Sequence, residues 1–378
     1  MRGKVLIAGI DGFIGFALAQ HLVAHGFEVY GIDNLFRRKV ATSVTPIASV
    51  EDRVHALSIG FEVCDVTDWP HLLDVLRRVD PDAIVYLAHQ PSAPYSMKDR
   101  DSCFETTFTN TIGPLNLVWA LRELKMDVHV IVIGTLGEYA ASNIPISEKG
   151  LEISYGPLKE ILPYPRRGIS FYHDTKILGS LYLELACNCW ELTVTDVMQG
   201  VVFGVLTEEI DGRDELLFTR FDACEQFGTY LNRLCAEAAT KDVSLTVYGS
   251  GNQKRGFLPL RDSIQCLRLL LENPPKRGEY RLVNQLMEVY RLEDLARIVK
   301  RISMEEFGIF TKIKYYPNPR VEREDIDLYK VEKGILDSLG YKPSITLEEE
   351  IKNTIEICIK YRKRIPRKLL KPRTRWRP

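Results

Sequence analysis

Three glycines spaced three residues apart, Gly9, Gly12 and Gly15, directly follow the first apolar segment of the chain. That segment, residues 4–8, is typical of a short buried strand, and over residues 13–25 the apolar side chains recur at helical spacing. Glycines in this position permit a tight turn and a close approach of helix to strand, and the helix N terminus offers free N–H groups to a phosphate. We therefore predict a strand–turn–helix unit that binds a dinucleotide through the turn and the first helical residues: Gly9, Asp11, Gly12, Phe13, Ile14 and Gly15.

An acidic residue, Asp33, ends the next predicted strand, residues 27–32. A carboxylate there accepts hydrogen bonds from ribose hydroxyls and repels a 2′-phosphate, so we expect NAD as the cofactor rather than NADP. Arg37 and Arg38 are close enough in sequence to weaken that preference. Asp65 either lies near the adenine or caps the following helix. The other expected cofactor contacts are Asn34, Arg37, Val66, Asn110, Tyr172 and Lys176.

Strand and helix patterns alternate as far as about residue 204. Six predicted strands with interleaved helices indicate an α/β fold with a doubly wound parallel Rossmann sheet. We assign residues 1–204 to an NAD-binding Rossmann domain, residues 205–359 to a smaller mixed substrate-binding lobe partly interleaved with it, and residues 360–378 to a tail. The predicted strands are 4–8, 27–32, 61–63, 83–87, 128–133 and 192–197, with short lobe strands at 245–248 and 280–283.

The charges are distributed unevenly along the chain. Lysine plus arginine is 50 and aspartate plus glutamate is 51, giving a net charge of −1. Residues 360–378 hold ten basic residues and no acid, so residues 1–359 carry 40 basic against 51 acidic groups. The tail is either a solvated charge run or a binding element. The acidic body gives no reason to expect nucleic acid, and no apolar run reaches the ~18 residues that span a bilayer.

Eight cysteines lack the spacing of zinc ligands or of a disulfide framework. We expect free thiols, no bound metal and a cytoplasmic location.

Tyr172 and Lys176 lie four residues apart in a predicted helix, residues 171–190, and so share one face. An ammonium group beside a phenol stabilises the phenolate, which makes the tyrosine a general base for a hydroxyl group. Thr135 follows the fifth predicted strand, where its hydroxyl can bind the reacting oxygen. With the glycine triplet, Asp33 and Asn110, this set resembles the extended short-chain dehydrogenase/reductase family.

Longer stretches narrow the resemblance. Ser-Ala-Pro-Tyr-Ser-Met at 92–97 and Pro-Asn-Pro-Arg-Val-Glu at 317–322 are absent from ordinary epimerases. Together with residues 33–38, 134–139, 170–173, 199–204, 231–233 and 246–249, they resemble the UDP-sulfoquinovose synthases, from about residue 4 to about residue 345. The resemblance implies NAD-dependent synthesis of UDP-sulfoquinovose from UDP-glucose and sulfite through 4-keto and 4-keto-5-ene intermediates. A 4-epimerase, a 4,6-dehydratase and a silent NAD-binding protein are the competing hypotheses.

The resemblance also implies roles for single residues. Tyr172 is the base, Lys176 lowers its pKa, and Thr135 orients the 4-oxygen. Related dehydratases have an Asp-Glu pair after this threonine, whereas this chain has Leu136-Gly137, so His173 and Glu138 are the candidates for acid–base chemistry at C5 and C6. His173 is equally explained as a packed core residue. The substrate-binding residues are expected to be Thr135, Gln199, Val202, Phe227, Gly228, Thr229, Thr246, Val247, Arg255 and Arg320.

One position departs from the family pattern. Pro91 stands where the family has an arginine that contacts the substrate, and Lys98 or Arg100 is a candidate replacement.

Relatives commonly form homodimers through the long helix and the tyrosine-bearing helix. The apolar residues Leu115, Leu117, Val118, Leu181, Leu183 and Leu185 fit that interface, and they fit burial on the sheet equally well.

Overall fold

The computed structural model describes residues 3–139, 144–163, 166–320, 329–371 and 376. Their strands are β1 (Lys4–Ala8), β2 (Glu28–Asp33), β3 (Gly60–Val63), β4 (Ala83–Tyr86), β5 (His129–Thr135), β6 (Leu151–Tyr155), β7 (Leu158–Leu162), β8 (Thr193–Gln199), β9 (Val201–Phe203), β10 (Leu245–Tyr248), β11 (Lys254–Pro259), β12 (Tyr280–Gln285), β13 (Glu288–Arg291) and β14 (Ile313–Tyr316). Their helices are α1 (Phe13–Ala24), α2 (Phe36–Val40), α3 (Val50–Leu57), α4 (Trp69–Val79), α5 (Ala93–Ser96), α6 (Arg100–Leu124), α7 (Phe171–Trp190), α8 (Tyr230–Ala238), α9 (Leu260–Glu272), α10 (Leu292–Phe307), α11 (Gly334–Ser338), α12 (Leu347–Lys360) and α13 (Arg367–Leu370).

A parallel sheet of seven strands forms the centre of the molecule, in the order β3-β2-β1-β4-β5-β8-β12. Alternate residues of β1 enter different apolar layers, with Val5 and Ile7 on one face and Leu6 and Ala8 on the other. The strands therefore bury both faces, as parallel sheets covered by crossover helices do. The predicted doubly wound Rossmann fold is confirmed.

The seventh strand of the sheet, β12, was predicted in the wrong part of the molecule. We placed residues 280–283 in the C-terminal lobe, but β12 lies at the edge of the central sheet, paired in parallel with β8 from Tyr280↔Val194 to Gln285↔Gln199. A short strand pattern reports local conformation and not the sheet that the strand joins, because pairing is set by tertiary packing.

Smaller sheets and helices complete the C-terminal half. β13, β11 and β9 form a mixed three-stranded sheet, and β10 pairs with β14. Helix α12 packs on α8 and α10 and leads into the basic tail. Ile365 and Leu370 of the tail are buried, and the Leu369 carbonyl accepts a hydrogen bond of 2.9 Å from the backbone N–H of Glu225. The described part of the tail is thus packed on the body, while the division at residues 204 and 359 stays a prediction.

An antiparallel hairpin, β6 and β7, is inserted between β5 and α7, and sequence analysis missed it. Its apolar side chains are exposed, Tyr155 by 84% and Leu158 by 68%. A half-buried strand signal needs a buried face, so a protruding hairpin gives a weak pattern. Within the part of the chain described here, no helix is long and apolar enough to cross a bilayer.

Candidate active site

One long cleft runs along the carboxyl ends of the sheet strands, between the sheet and the C-terminal half. This is the edge at which doubly wound sheets bind ligands. The predicted site residues that line it are Gly9, Asp11, Gly12, Phe13, Ile14, Gly15, Asp33, Asn34, Arg37, Val66, Thr135, Tyr172, His173, Lys176, Gln199, Val202, Phe227, Gly228, Thr229, Arg255 and Arg320. Asp65, Asn110, Thr246 and Val247 are not among its lining residues.

The glycine turn has the shape that a pyrophosphate requires. Gly9 has a φ of +89°, and a Cβ on Gly15 would lie 2.3 Å from the Gly9 carbonyl oxygen, so neither position admits a side chain without strain. Gly12 begins α1 without a side-chain cap, and the first turn carries no acid. The N–H groups of that turn are therefore open to an anion. This cradle fits the pyrophosphate of NAD.

Asp11, inside the glycine turn, is held by two arginines. Arg38 donates to both of its carboxylate oxygens, at 2.7 and 2.8 Å, and the buried Arg53 donates to one of them. The Arg53 guanidinium also lies 3.5 Å above the Phe16 ring. The turn is thus braced by a buried, hydrogen-bonded ion cluster, and Arg38 is committed to it.

Asp33 lies at the end of β2 and accepts hydrogen bonds from the backbone N–H of Asp11, at 3.0 Å, and of Leu35, at 2.7 Å. Burial and the nearby Asp11 carboxylate raise the pKa of Asp33 to about 6. Arg37 donates to Asp222 at 3.2 Å and stacks on the Phe227 ring at 3.9 Å. Since Arg37 and Arg38 both have acidic partners, the geometry gives little support to the idea that they weaken the preference for NAD.

Asp65 contacts Asn34 and not the cleft surface. It accepts from the Asn34 side chain at 2.8 Å and from the backbone N–H of Thr67 at 2.9 Å, whereas Asp68 caps α4. It thereby fixes the loop after β2 against the loop after β3. Val66, the next residue, does line the cleft.

Asn110 is fully buried in α6, and its carboxamide is occupied by protein groups. It accepts from the Gln90 N–H at 2.7 Å and donates to the Gln90 carbonyl and to Thr175 Oγ1, both at 3.1 Å. It therefore joins the loop after β4 to the helix that carries Tyr172 and Lys176, and its expected contact with the cofactor stays a prediction.

Thr135, Tyr172 and Lys176 meet at the end of β5. The Thr135 side chain is hydrogen-bonded to the Tyr172 hydroxyl, and Lys176 Nζ donates to the Ile133 carbonyl. Burial and the Glu138 charge raise the pKa of Tyr172, while burial lowers the pKa of Lys176. The three groups have the arrangement of a hydroxyl-binding threonine, a general base and its cationic neighbour.

His173 lines the cleft beside this group, whereas Glu138 lies behind it. His173 Nδ1 is 2.7 Å from Ser170 Oγ, and burial together with Arg320 and Arg255 lowers the pKa of the imidazole to about 3. Glu138 is fully buried and accepts from the Thr135 N–H at 3.1 Å. Of the two candidates for chemistry at C5 and C6, only His173 faces the cleft.

Gln199, Val202 and the segment Phe227, Gly228 and Thr229 line the part of the cleft towards the C-terminal half. Thr246 and Val247 lie in β10, where the Thr246 N–H donates to Glu237 at 2.8 Å. The neighbouring Tyr248 lines the cleft instead. The distinctive stretch at 317–322 is described only as far as Arg320, which lines the cleft.

Pro91 lines the cleft, but its two candidate replacements do not. Lys98 pairs with Asp99 at 3.1 Å and Arg100 pairs with Asp101 at 3.0 Å, both on the exposed surface. The cations that line the cleft besides Lys176 are Arg37, Arg220, Arg233, Arg255 and Arg320.

Sequence analysis missed Arg233, which is buried on α8 with its guanidinium 5.6 Å from the Tyr248 ring. The stretch at 231–233 pointed to the family but carried no sign that its arginine reaches the cleft. Gln90, whose buried carboxamide has no hydrogen-bond partner in the described structure, was missed likewise.

A possible set of metal ligands lies away from the cleft. His21, His25 and Glu209 place ligand atoms within 4.8 Å of one another. His21 Nδ1 faces Glu209 at 2.7 Å and its Nε2 accepts from Arg268 at 3.1 Å. Both ring nitrogens of His21 are therefore engaged, and the guanidinium opposes a cation there. All eight cysteines are free thiols.

Known proteins are similar to this chain in sequence and in fold. Residues 5–284 match the NAD dependent epimerase/dehydratase family. The chain is 41% identical to the UDP-sulfoquinovose synthase of Sulfolobus acidocaldarius, aligned over 99% of this chain and 98% of that protein. It is 37% identical to the chloroplastic UDP-sulfoquinovose synthase of Spinacia oleracea, over 100% of this chain and 80% of that protein.

Solved structures agree on the fold. A UDP-glucuronic acid 4-epimerase from Bacillus cereus, in complex with UDP-glucuronic acid and NAD, matches with a TM-score of 0.72 at 18% identity, over 94% of this chain and 99% of that chain. The UDP-glucose 4-epimerase of Thermotoga maritima matches with a TM-score of 0.70 at 20% identity, over 95% and 99%. The chain is an NAD-dependent sugar-nucleotide enzyme that belongs, within the NAD dependent epimerase/dehydratase family, to the UDP-sulfoquinovose synthases.

Proposed function

We propose that this enzyme converts UDP-glucose and hydrogen sulfite to UDP-sulfoquinovose and water. The observation that carries the proposal is the position of Thr135, Tyr172 and Lys176 in the same cleft as the glycine cradle, in a chain 41% identical to a UDP-sulfoquinovose synthase. The reaction is redox-neutral overall, because the hydride removed from C4 at the start returns there at the end.

At C4, Thr135 binds the 4-oxygen and Tyr172 takes its proton. Bound NAD⁺ supplies the hydride acceptor and later the hydride donor. The cradle at Gly9, Gly12 and Gly15 holds its pyrophosphate, and Asp33 holds its adenosine ribose. Burial and the Glu138 charge raise the pKa of the Tyr172 phenol. A positive nicotinamide ring and the Lys176 ammonium lower it and make the phenolate accessible near neutral pH.

At C5 and C6, His173 is the acid–base. The 4-keto group acidifies the C5 hydrogen, and His173 takes that proton and passes it to the 6-hydroxyl, which leaves as water to give the 4-keto-5-ene. Hydrogen sulfite adds at C6 through its sulfur, and the proton that it releases returns to C5 through His173. Burial, together with the charges of Arg320 and Arg255, depresses the pKa of His173. Since a bound diphosphate neutralises those arginines, substrate binding strengthens the base it needs.

The uridine diphosphate lies along the C-terminal side of the cleft. Arg255 and Arg320 pair with the diphosphate, where a planar guanidinium suits phosphate oxygens. Gln199, Val202, Phe227, Gly228 and Thr229 line the sugar and nucleotide pocket. For the uracil, we favour Tyr248, which lines the cleft, over the β10 backbone at Thr246 and Val247, because the Thr246 N–H already donates to Glu237.

We infer that the enzyme forms a homodimer through α6 and α7. The six apolar residues named for this interface differ in exposure. Leu117, Val118 and Leu183 are buried on the sheet, Leu115 is half-buried, and Leu181 and Leu185 are exposed by 49% and 61%. Phe104, Phe108 and Phe171 extend the exposed apolar face of these two helices.

The test is an incubation with UDP-glucose, NAD⁺ and sulfite, followed by mass spectrometry of the sugar nucleotides. We expect a sulfonated UDP-hexose that is absent when sulfite is omitted. UDP-galactose alone would identify a 4-epimerase, and a dehydrated 4-keto sugar alone would identify a 4,6-dehydratase. Tyr172→Phe should abolish product, while Tyr182→Phe, on the same helix but outside the cleft, should retain it. Turnover by Tyr172→Phe would refute the assignment of the base.

A further inference from the structure

A buried cluster of charged residues lies behind the catalytic threonine. Arg166 donates to Glu138 at 3.3 Å and lies 3.8 Å from Asp196. Tyr280, from the edge strand β12, donates to Asp196 at 2.5 Å and accepts from Arg166 at 3.1 Å. Glu138 and Asp196 are fully buried and the Arg166 side chain is only 10% exposed. These contacts join the turn that follows β5, the strands β8 and β12, and the segment before α7.

The cluster converges on the backbone between Ile133 and Thr135. A Cβ on Gly134 would meet Asp196 Oδ1 at 2.8 Å and Glu138 Oε1 at 3.0 Å, so both carboxylates pack directly against this residue. One residue earlier, the Ile133 carbonyl accepts from Lys176 Nζ, and one residue later, the Thr135 N–H donates to Glu138 at 3.1 Å. Lys176, Glu138 and Asp196 therefore all contact the three consecutive residues that end in the catalytic Thr135.

Formal charges in this region balance in pairs. Glu138 and Asp196 carry two negative charges, and Arg166 and Lys176 carry two positive charges. A buried charge is tolerated where others of opposite sign compensate it, and removing one partner leaves the rest uncompensated. Lys176 also shares a helix face with Tyr172 and lies near His89, in the loop after β4. Burial holds the pKa of the His89 imidazole far below its usual range, so this histidine is neutral.

We propose that Glu138, Asp196 and Arg166 are positioning residues that hold Thr135 in place and keep the Lys176 ammonium charged inside the protein. This inference rests on the proposed role of Lys176 beside Tyr172. The directions of the pKa shifts agree with it. Burial lowers the pKa of Lys176 and raises that of Glu138, while the two carboxylates raise the pKa of Lys176 again. Without the two carboxylates, only the effect of burial would remain, and it lowers the pKa of Lys176.

The proposal makes predictions of opposite sign for the two kinds of charge. Glu138→Gln removes a negative charge but keeps an oxygen for the Thr135 N–H. Both Tyr172 and Lys176 then deprotonate more easily, so both limbs of the pH–rate profile move to lower pH, by about one unit. Arg166→Gln removes a positive charge, and both limbs move to higher pH. The double variant restores the balance, and its profile returns towards that of the wild type.

The measurement is the pH dependence of the first hydride transfer, followed as absorbance at 340 nm after mixing enzyme and NAD⁺ with UDP-glucose without sulfite. Glu350→Gln is the matched control, because Glu350 is also fully buried with a pKa raised by burial to about 8, yet lies beside Arg261 and outside the cleft. Its profile should not move. If Glu138→Gln does not fold, Asp196→Asn replaces it with the same expected direction.

Two results would overturn the proposal: a uniform loss of rate in Glu138→Gln with both limbs unmoved, or limbs that move the same way in Glu138→Gln and Arg166→Gln. Because this assay stops before sulfite is needed, a failure here is separate from a failure to form UDP-sulfoquinovose. The latter appears only in the product analysis.

Discussion

The imidazole of His173 occupies the space that a side chain at position 137 would need. A Cβ on Gly137 would lie 2.4 Å from both Cδ2 and Nε2 of the ring. Ser170 holds the opposite ring nitrogen at 2.7 Å, so the ring cannot withdraw without losing that contact. In related dehydratases the acidic pair after the threonine includes this position. In this chain, Gly137 leaves that space to the imidazole of His173.

Gly137→Ala should therefore displace His173 and impair chemistry at C5 and C6 more than hydride transfer at C4. We expect a loss of at least tenfold in exchange of the C5 hydrogen with D₂O, measured by NMR, while the absorbance change at 340 nm persists. Gly179→Ala is the control, because a Cβ there meets Pro114 only at 3.5 Å, an ordinary contact. Equal losses in both measurements would argue against this role of His173.

The features that sequence analysis predicted correctly have local patterns. The glycine turn between β1 and α1 and the ends of α7 follow from side-chain periodicity and from residues within one or two turns of each other. The position of Tyr172 relative to Lys176 needs only helical geometry. The parallel, doubly wound arrangement then follows from the alternation of strands and helices and from the right hand of their crossovers.

What sequence analysis missed depends on contacts between distant segments. Asn110 hydrogen-bonds Gln90 and Thr175, which lie 20 and 65 residues away in the sequence. The Thr246 and Val247 backbone is predicted to meet the uracil, and the sequence pattern does not show that the Thr246 N–H donates to Glu237. The charge balance around Glu138 involves Tyr280 from β12, a strand assigned to the wrong sheet. Contacts between residues so far apart in the sequence produce no periodic pattern of side chains from which they could be predicted.

His129 should make the fold sensitive to acid. It is buried on β5 with Nε2 2.9 Å from Thr195 Oγ1, and burial together with Arg281 lowers its pKa to about 3. Because the unfolded chain binds a proton near pH ~6.5 and the folded chain does not, this contribution to stability is complete above that pH and declines as the pH falls towards 3. His129→Gln should therefore lose less stability between pH 7 and 5, by about 2 kcal/mol, in urea unfolding. His55→Gln, at an exposed position, should behave as the wild type; identical pH dependence in all three proteins would contradict the prediction.

Asp33 should make cofactor affinity depend on pH. Its pKa of about 6 means that the carboxylate becomes neutral as the pH falls through 6, and its bonds to the ribose hydroxyls weaken. We expect NAD affinity, measured by calorimetry on nucleotide-free enzyme, to fall below pH 6. Asp33→Asn should bind NAD about tenfold more weakly at pH 7.5, with a flat pH profile and less discrimination against NADP. Asp82→Asn, which alters a carboxylate at the opposite end of β1, serves as control. An unchanged preference in Asp33→Asn would mean that another group rejects the 2′-phosphate.

Trp376 connects the basic tail to the substrate side of the cleft. Its ring lies 5.4 Å from the Arg320 guanidinium, and the same tail contacts Glu225, another cleft residue, through Leu369. A contact of this kind contributes about 1 kcal/mol. Trp376→Ala should raise KM for UDP-glucose about fivefold with kcat nearly unchanged, and Trp376→Phe should restore most of the affinity. Trp190→Ala removes an arginine–tryptophan pair outside the cleft and should leave KM alone. A fall in kcat alone would show that the tail acts elsewhere.

Leu181 and Leu185 test the homodimer. Both lie exposed on α7, which packs against α6, where the stacked rings of Phe104 and Phe108 are also exposed and their centroids are 5.9 Å apart. An apolar face of this kind is normally covered by a partner, and a buried unpaired carboxylate would oppose that contact strongly. Leu181→Glu should therefore convert a dimer to a monomer in sedimentation or light-scattering measurements at micromolar concentration. The matched control is Leu158→Glu, on the exposed hairpin β6–β7, which should leave the mass unchanged. Dissociation by the hairpin variant but not by Leu181→Glu would place the interface on the hairpin instead of on α6 and α7.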